Sequence, residues 1–115
     1  MNVKLDMDAV IKLTLLPAEE GGRKSPISSG YRGQHLIKPD YQTSAIIELI
    51  DIESLPPGES CLAKIKYITP EVYPNTLFVG REVAVYEGAR KVGVAVIKQV
   101  MNQVLLKPDQ HVSRS

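Results

Sequence analysis

Apolar and polar side chains alternate with a period of two along several short stretches of the chain. Between residues 8 and 16, Ala9, Ile11, Leu13 and Leu15 fall on one face, and Lys12 falls on the other. This period is typical of a β-strand with one buried face. Similar stretches predict further strands over residues 31–37, 43–52, 59–69, 78–86 and 92–100.

Proline and glycine mark the short connections between these strands, and no long stretch has the period of a helix. Such a chain is predicted to be all-β, with the six strands forming a closed antiparallel barrel of Greek-key-like connectivity. Closure would remove the strand edges that promote aggregation. An open sandwich is the alternative. We place the barrel at residues 8–102, after an N-terminal tail (1–7) and before a polar, flexible C-terminal tail (103–115).

The composition is that of one ordinary globular domain. The chain has 115 residues, of which 43% are hydrophobic and 23% charged, and its formal net charge is +1. A single cysteine excludes an intrachain disulfide, and the apolar runs are shorter than the ~20 residues of a membrane span. Asp6 and Asp8 precede the first apolar run, which does not fit a signal peptide. We therefore expect a cytoplasmic protein with no membrane partner.

The residues do not form a recognisable catalytic or metal-binding set. The two histidines are far apart in sequence, and Cys61 lies on the apolar face of a predicted strand. Gly21 and Gly22 precede a Lys24-Ser25 pair, but the upstream glycine of a phosphate-binding loop and a following helical pattern are missing. Gly88 and Gly93 have the glycine spacing of such a loop, but Val94 and Ala95 stand where it needs lysine and a hydroxyl residue. We therefore expect no enzymatic activity, no cofactor, no metal and no bound nucleotide.

Charge is unevenly distributed along the chain. Residues 21–39 contain no acidic side chain and four basic ones, namely Arg23, Lys24, Arg32 and Lys38. Residues 40–60 contain five acidic side chains and no basic one. The four basic residues form a candidate patch for a phosphate backbone. The alternative is that they are solvated loops or that the two stretches pair with each other.

Three runs of residues closely resemble the C-terminal domain of bacterial elongation factor Tu. They are EEGGRKSP at residues 19–26, GYRGQ at residues 30–34 and EGARKVG at residues 87–93. The family has E-G-G-R-H-T-P, G-Y-R-P-Q and E-G-G-R-T-V-G in the same order. The resemblance covers most of the chain. It implies a freestanding copy of the six-stranded barrel of domain 3, without the GTP-binding domain.

In the family this barrel packs on the nucleotide-binding domain and contacts the T-stem backbone of aminoacyl-tRNA. The resemblance implies a tRNA-facing set consisting of Arg23, Lys24, Gln34, Gln42 and Gly88. It implies that Gly21, Gln34 and Ala84 face the partner domain. Structural roles are the alternative for these and neighbouring residues: a positive φ at Gly21, Gly22 and Gly88, carbonyl contacts from Arg23 and Arg90, and barrel packing of Gln34 and Ala84.

We favour a non-catalytic module that binds a protein partner through the inherited interface, since an isolated module would make few phosphate contacts. A tRNA-binding or RNA-binding regulator of translation is the second hypothesis. A third is an immunity-type or inhibitor-type protein that uses the barrel as a rigid scaffold.

Overall fold

Six of the eight strands form a closed antiparallel barrel in this computed structural model, which describes residues 7–39 and 41–108. The strands are β1 (Ala9–Leu15), β2 (Ile27–Ser28), β3 (Tyr31–Lys38), β4 (Tyr41–Leu49), β5 (Ser54–Leu55), β6 (Ser60–Tyr67), β7 (Glu82–Glu87) and β8 (Arg90–Val100). Their order around the barrel is β1-β6-β4-β3-β7-β8, and β8 pairs back to β1. The predicted closed six-stranded barrel is confirmed, and the open sandwich is excluded.

The alternation in β1 divides the inside of the barrel from the outside. Ala9, Ile11, Leu13 and Leu15 are fully buried, whereas Lys12 is exposed. Each of the larger aliphatic side chains contributes roughly 1.5–3 kcal/mol by leaving water. In β6 the inward side chains are Ala63, Ile65 and Tyr67, and Cys61 at the start of the strand is only partly buried.

Two of the predicted strands differ most from the structure in their bounds, and the others agree within two residues at each end. The strand predicted at residues 78–86 begins at Glu82, because Gly80 has a φ of 94° and turns the chain just before it. The strand predicted at residues 43–52 runs instead from Tyr41 to Leu49, and Asp51 follows with a φ of 66°. Apolar residues continue beyond the strand in both cases, as Phe78 and Val79 before β7 and Ile50 and Ile52 after β4, so the pattern alone extends the strand too far at that end.

We call the two openings of the barrel the first and the second end. The first end holds the connections β1–β3, β4–β6 and β7–β8. The short strands β2 and β5 pair across it, and their buried side chains Ile27 and Leu55 close it. A 3-10 helix (Ala18–Glu20) lies in the β1–β3 connection. The alternating pattern did not predict this small sheet, because two-residue strands have no detectable period.

The second end holds the β3–β4 and β6–β7 connections and the segment after β8. A 3-10 helix (Pro70–Val72) lies in the β6–β7 connection. Leu77 and Leu105 are fully buried there, and the Leu77 amide donates to the Leu105 carbonyl at 2.8 Å. The packed chain thus extends past Asn102, into the segment that we assigned to the C-terminal tail. The apolar Leu105 explains this difference, because it enters the core. Residues 1–6 and 109–115 of the predicted tails lie outside the described residues.

Candidate functional site

Arg23 lies at the first end and is held by contacts on several sides. Its guanidinium forms an ion pair with Glu87 at the end of β7 and lies 5.2 Å above the ring of Tyr31. It also donates to the Ser25 carbonyl at 3.2 Å and to the Ser25 hydroxyl at 3.0 Å. Arg23 therefore joins the β1–β3 connection to β3 and β7, in agreement with the carbonyl-binding role that we considered for it.

Glu87 is the centre of this cluster, because Tyr31 also donates a hydrogen bond of 2.6 Å to the Glu87 carboxylate. Partial burial opposes ionisation of Glu87, but the hydrogen bonds from Tyr31 and Arg23 outweigh it and lower the pKa of Glu87. Burial, aided by the Glu87 carboxylate, raises the pKa of the Tyr31 hydroxyl far above its ordinary value of 10. Near neutral pH the Glu87 carboxylate is therefore ionised, the Tyr31 hydroxyl is neutral, and both Tyr31 and Arg23 donate to the carboxylate.

Backbone geometry at the two glycines preceding Arg23 fixes the position of this loop. Gly21 has a φ of 90°, which agrees with the proposed need for a positive φ. Gly22 is required for a different reason: a Cβ there would lie 2.3 Å from the carbonyl oxygen of Leu16. The Gly22 carbonyl also accepts a hydrogen bond of 3.4 Å from Arg90. The two glycines and the arginine of the EEGGRKSP run therefore have structural roles in this loop, and Arg90 of the EGARKVG run supports it.

An open cleft of about 370 Å³ lies beside this cluster. Arg23, Lys24, Ser25, Glu87 and Arg90 line it. Gly88, with a φ of 62°, lies in the adjacent turn between β7 and β8. Three members of the tRNA-facing set, Arg23, Lys24 and Gly88, are thus at the first end, where Glu87 compensates the charge of Arg23.

The predicted patch of four basic residues is divided between distant parts of the barrel. Lys38 is at the far end of β3, seven residues from Tyr31, or ~23 Å along the strand. Its Nζ atom lies 5.5 Å from the centre of the Tyr73 ring and 3.5 Å from the Val72 carbonyl oxygen. Arg32 lies on the outer wall, opposite Ile46. The four residues therefore do not form one continuous surface. The acidic stretch also does not supply the ion-pair partner of Arg23, which is Glu87.

Three of the predicted site residues point to the outside of the barrel: Gln42 on β4, Gln34 on β3 and Ala84 on β7. We call the outer surface of these three strands the β4–β3–β7 face. Gln34 is opposite Ser44 on one side and Tyr86 on the other, and Gln42 is opposite Leu36. Ala84 is two residues before Tyr86, on the same face of β7. Gly21 lies elsewhere, at the first end. The structure thus brings together two of the three residues expected to face a partner domain, along with Gln42.

An open cleft of about 560 Å³ occupies this face, and Leu36, Gln42, Tyr86 and Ala89 line it. Sequence reasoning missed Leu36, Tyr86 and Ala89. The alternation in β3 and β7 could have identified Leu36 and Tyr86, because both are large apolar or aromatic residues at outward positions. Ala89 comes from the following turn, and only the fold brings it to the cleft.

The side chains of His35 and Tyr67 form a buried polar pair in the barrel interior, away from both clefts. His35 is fully buried, and its ring packs edge-on against that of Tyr67 with 5.8 Å between centroids. Among the described residues, both His35 nitrogens and the Tyr67 hydroxyl have no hydrogen-bond partner. Burial lowers the pKa of His35 from 6.5 to about 3, and burial also raises the pKa of Tyr67. His35 is therefore neutral in the folded barrel at physiological pH.

No protein-family model matches the chain. Over residues 7–39 and 41–108, no helix has the length and apolar character needed to traverse a bilayer. The same residues contain no group of three or more histidine, cysteine or acidic side chains arranged to hold a metal ion.

Proposed function

We propose that the chain is a non-catalytic module that binds a protein partner through the β4–β3–β7 face. The proposal includes a relationship to the C-terminal domain of elongation factor Tu, which the three matching sequence runs and the six-stranded barrel support. The single observation that carries the binding function is the open cleft at Leu36, Gln42, Tyr86 and Ala89. Clefts of this kind, with an apolar floor and a few polar groups, are common at recognition sites.

The distribution of charge favours a protein over RNA as the partner. Arg23 is engaged by Glu87, and Lys38 lies at the opposite end of the barrel, so few cations could follow a phosphate backbone together. RNA affinity depends strongly on the number of phosphates neutralised. The β4–β3–β7 face, in contrast, combines amide, phenol and aliphatic groups, which suit a protein surface.

Binding of tRNA or another RNA is the second candidate function. The observation that favours it is the cleft at the first end, where Lys24 and Arg90 lie together with Arg23. A filter-binding titration of tRNA at about 50 mM salt tests this candidate. Submicromolar affinity that Arg23→Ala and Lys24→Glu abolish would favour RNA and contradict a protein partner.

Site-specific photo-crosslinking in the native cell tests the leading proposal. A photoreactive amino acid at Gln34 is expected to give a discrete protein adduct, whereas the same group at Lys12, an exposed position on β1, should not. Digestion with ribonuclease distinguishes a protein adduct from an RNA adduct. Equal adducts at the two positions would contradict the assignment of the β4–β3–β7 face.

A further inference from the structure

The β4–β3–β7 face has an uncharged cleft with cations beside it. Gln34 and Tyr86 are directly opposite each other across β3 and β7, so their side chains share the outer surface. On the next strand Lys91 is directly opposite Tyr86. Arg32 is two residues before Gln34 on β3, and it points to the same outer surface. Both cations are exposed.

Carboxylates do not neutralise these two cations within the described residues. The ion pair that the structure describes is that of Arg23 with Glu87, and neither Arg32 nor Lys91 takes part in it. The other acidic side chain of β7, Glu82, is opposite Val96, at the far end of the strand from Tyr86. Glu48 also points outward from β4, two residues beyond Ile46, but it forms no ion pair with Arg32 among the described residues. Because neither Arg32 nor Lys91 is ion-paired, we expect a positive field beside the cleft, which Glu48 reduces on the Arg32 side.

We infer that the cleft binds an acidic protein segment that inserts one apolar side chain between Leu36 and Tyr86. Carboxylates of the segment would pair with Arg32 and Lys91, and the amides of Gln34 and Gln42 would bind its main chain. The inference rests on the proposed function and adds the chemistry of the partner. A polyanionic nucleic acid fits less well, because Leu36 and Ala89 in the lining of the cleft supply no side-chain donors to a phosphate backbone.

Apolar anchoring and charge make separate contributions to such a complex. The apolar side chain in the cleft supplies most of the binding energy, since buried central contacts dominate small interfaces. The rim cations increase selectivity and association rate, and salt weakens their effect. Substitutions of Tyr86 and of Lys91 should therefore give different responses to salt.

Fluorescence anisotropy with a short labelled peptide, in which one leucine is flanked by aspartates, tests the inference on the full chain. We expect Lys91→Glu and Arg32→Glu each to weaken binding by about tenfold at low salt. The matched control is Lys12→Glu, an equal charge reversal on the outer face of β1, which should change affinity by less than about twofold. Tyr86→Ala should weaken binding at all salt concentrations, whereas Leu62→Ala, an exposed apolar position on β6, should not.

Four results would overturn the inference. One is equal affinity for a peptide with asparagines in place of the aspartates, and another is an equal loss of binding in Lys12→Glu. The third is a preference for single-stranded oligouridylate over the acidic peptide, and the fourth is no peptide binding at millimolar concentration. Urea unfolding of each variant shows that the barrel is intact. If these tests fail while Gln34 still crosslinks to a protein, the proposed function stands and only the acidic character of the partner is wrong.

Discussion

Tyr31 and His35 are both on the inward face of β3, four residues apart, yet their surroundings are opposite. Tyr31 is at the first end of the barrel, where its hydroxyl donates to Glu87 and its ring lies under Arg23. His35 is ~13 Å further along the strand, fully buried beside Tyr67. Among the described residues its nitrogens have no hydrogen-bond partner.

The difference shows how position along one strand determines the energetic role of a polar ring. At the first end, loops supply charged partners and water remains near, so polar groups stabilise the fold. In the interior, neighbouring strands supply mainly apolar side chains, and an unpaired polar group costs about 1–3 kcal/mol. The cluster of Arg23, Tyr31 and Glu87 therefore stabilises the first end. The buried His35–Tyr67 pair, in contrast, lowers the free energy of unfolding and makes that free energy sensitive to acid.

The largest expected effect is a loss of stability in acid that depends on His35. Because the pKa of His35 is about 3 in the folded barrel and 6.5 ordinarily, the unfolded chain binds the proton more readily. The contribution of neutral His35 is fully present above about pH 6.5 and is lost as the pH falls towards 3. The free energy of unfolding should drop by about 2 kcal/mol between pH 8 and pH 5 from this group alone.

Urea unfolding across this pH range measures the effect, with His35→Leu as the control. The Leu variant keeps an apolar side chain of similar size at the position and removes the titrating group. Its stability should change less between pH 8 and pH 5 than that of the parent chain. An identical pH dependence in the two proteins would show that His35 is not responsible.

The substitution Tyr31→Phe measures how much the hydrogen bond at the first end contributes to stability. The substitution removes the hydroxyl that donates to the Glu87 carboxylate at 2.6 Å and keeps the ring beneath Arg23. Hydrogen bonds to charged groups contribute about 1.5–3 kcal/mol, and partial exposure places this one near the lower limit. Denaturant unfolding near pH 7 should show a loss of about 1.5 kcal/mol, and no loss would mean that the cluster does not stabilise the barrel.

Tyr67→Phe is the matching change in the interior, and its expected sign is opposite. It removes a buried hydroxyl that has no hydrogen-bond partner among the described residues. The free energy of unfolding should therefore rise by about 1 kcal/mol, since the desolvation cost disappears and the ring packing remains. A destabilised Tyr67→Phe protein would indicate that the Tyr67 hydroxyl has a hydrogen-bond partner in solution. It would contradict the difference that we draw between Tyr67 and Tyr31.

The smallest expected effects separate Arg23 from its neighbour Lys24. Arg23→Ala should lower stability by about 1 kcal/mol, because it breaks the ion pair with Glu87 and the contacts to Ser25. Lys24→Ala should change it by less than about 0.5 kcal/mol, since Lys24 is exposed. Thermal unfolding of the two variants compares them directly, and equal effects would contradict a stabilising role specific to Arg23.

The candidate site could be predicted only in part, as Gln34 and Arg23 illustrate. The sequence resemblance selects Gln34 as a contact residue, and the structure places it on the outer surface of β3. The resemblance does not indicate that Tyr86 and Ala89 line the cleft on this face. The EEGGRKSP run similarly identifies Arg23 as notable, but its partner Glu87 is 64 residues away in sequence.

The sequence by itself determined that the chain forms β-strands and, in β1 and β6, which side chains share the inward face. This is possible because a period of two is a local property of the backbone and its neighbouring side chains. Only the tertiary structure decided how β2 and β5 close the first end and how Leu105 enters the second. It also decided which polar groups are satisfied, as at Tyr31, and which are not, as at His35. Such outcomes depend on strand order and register, which bring together residues that local alternation cannot relate.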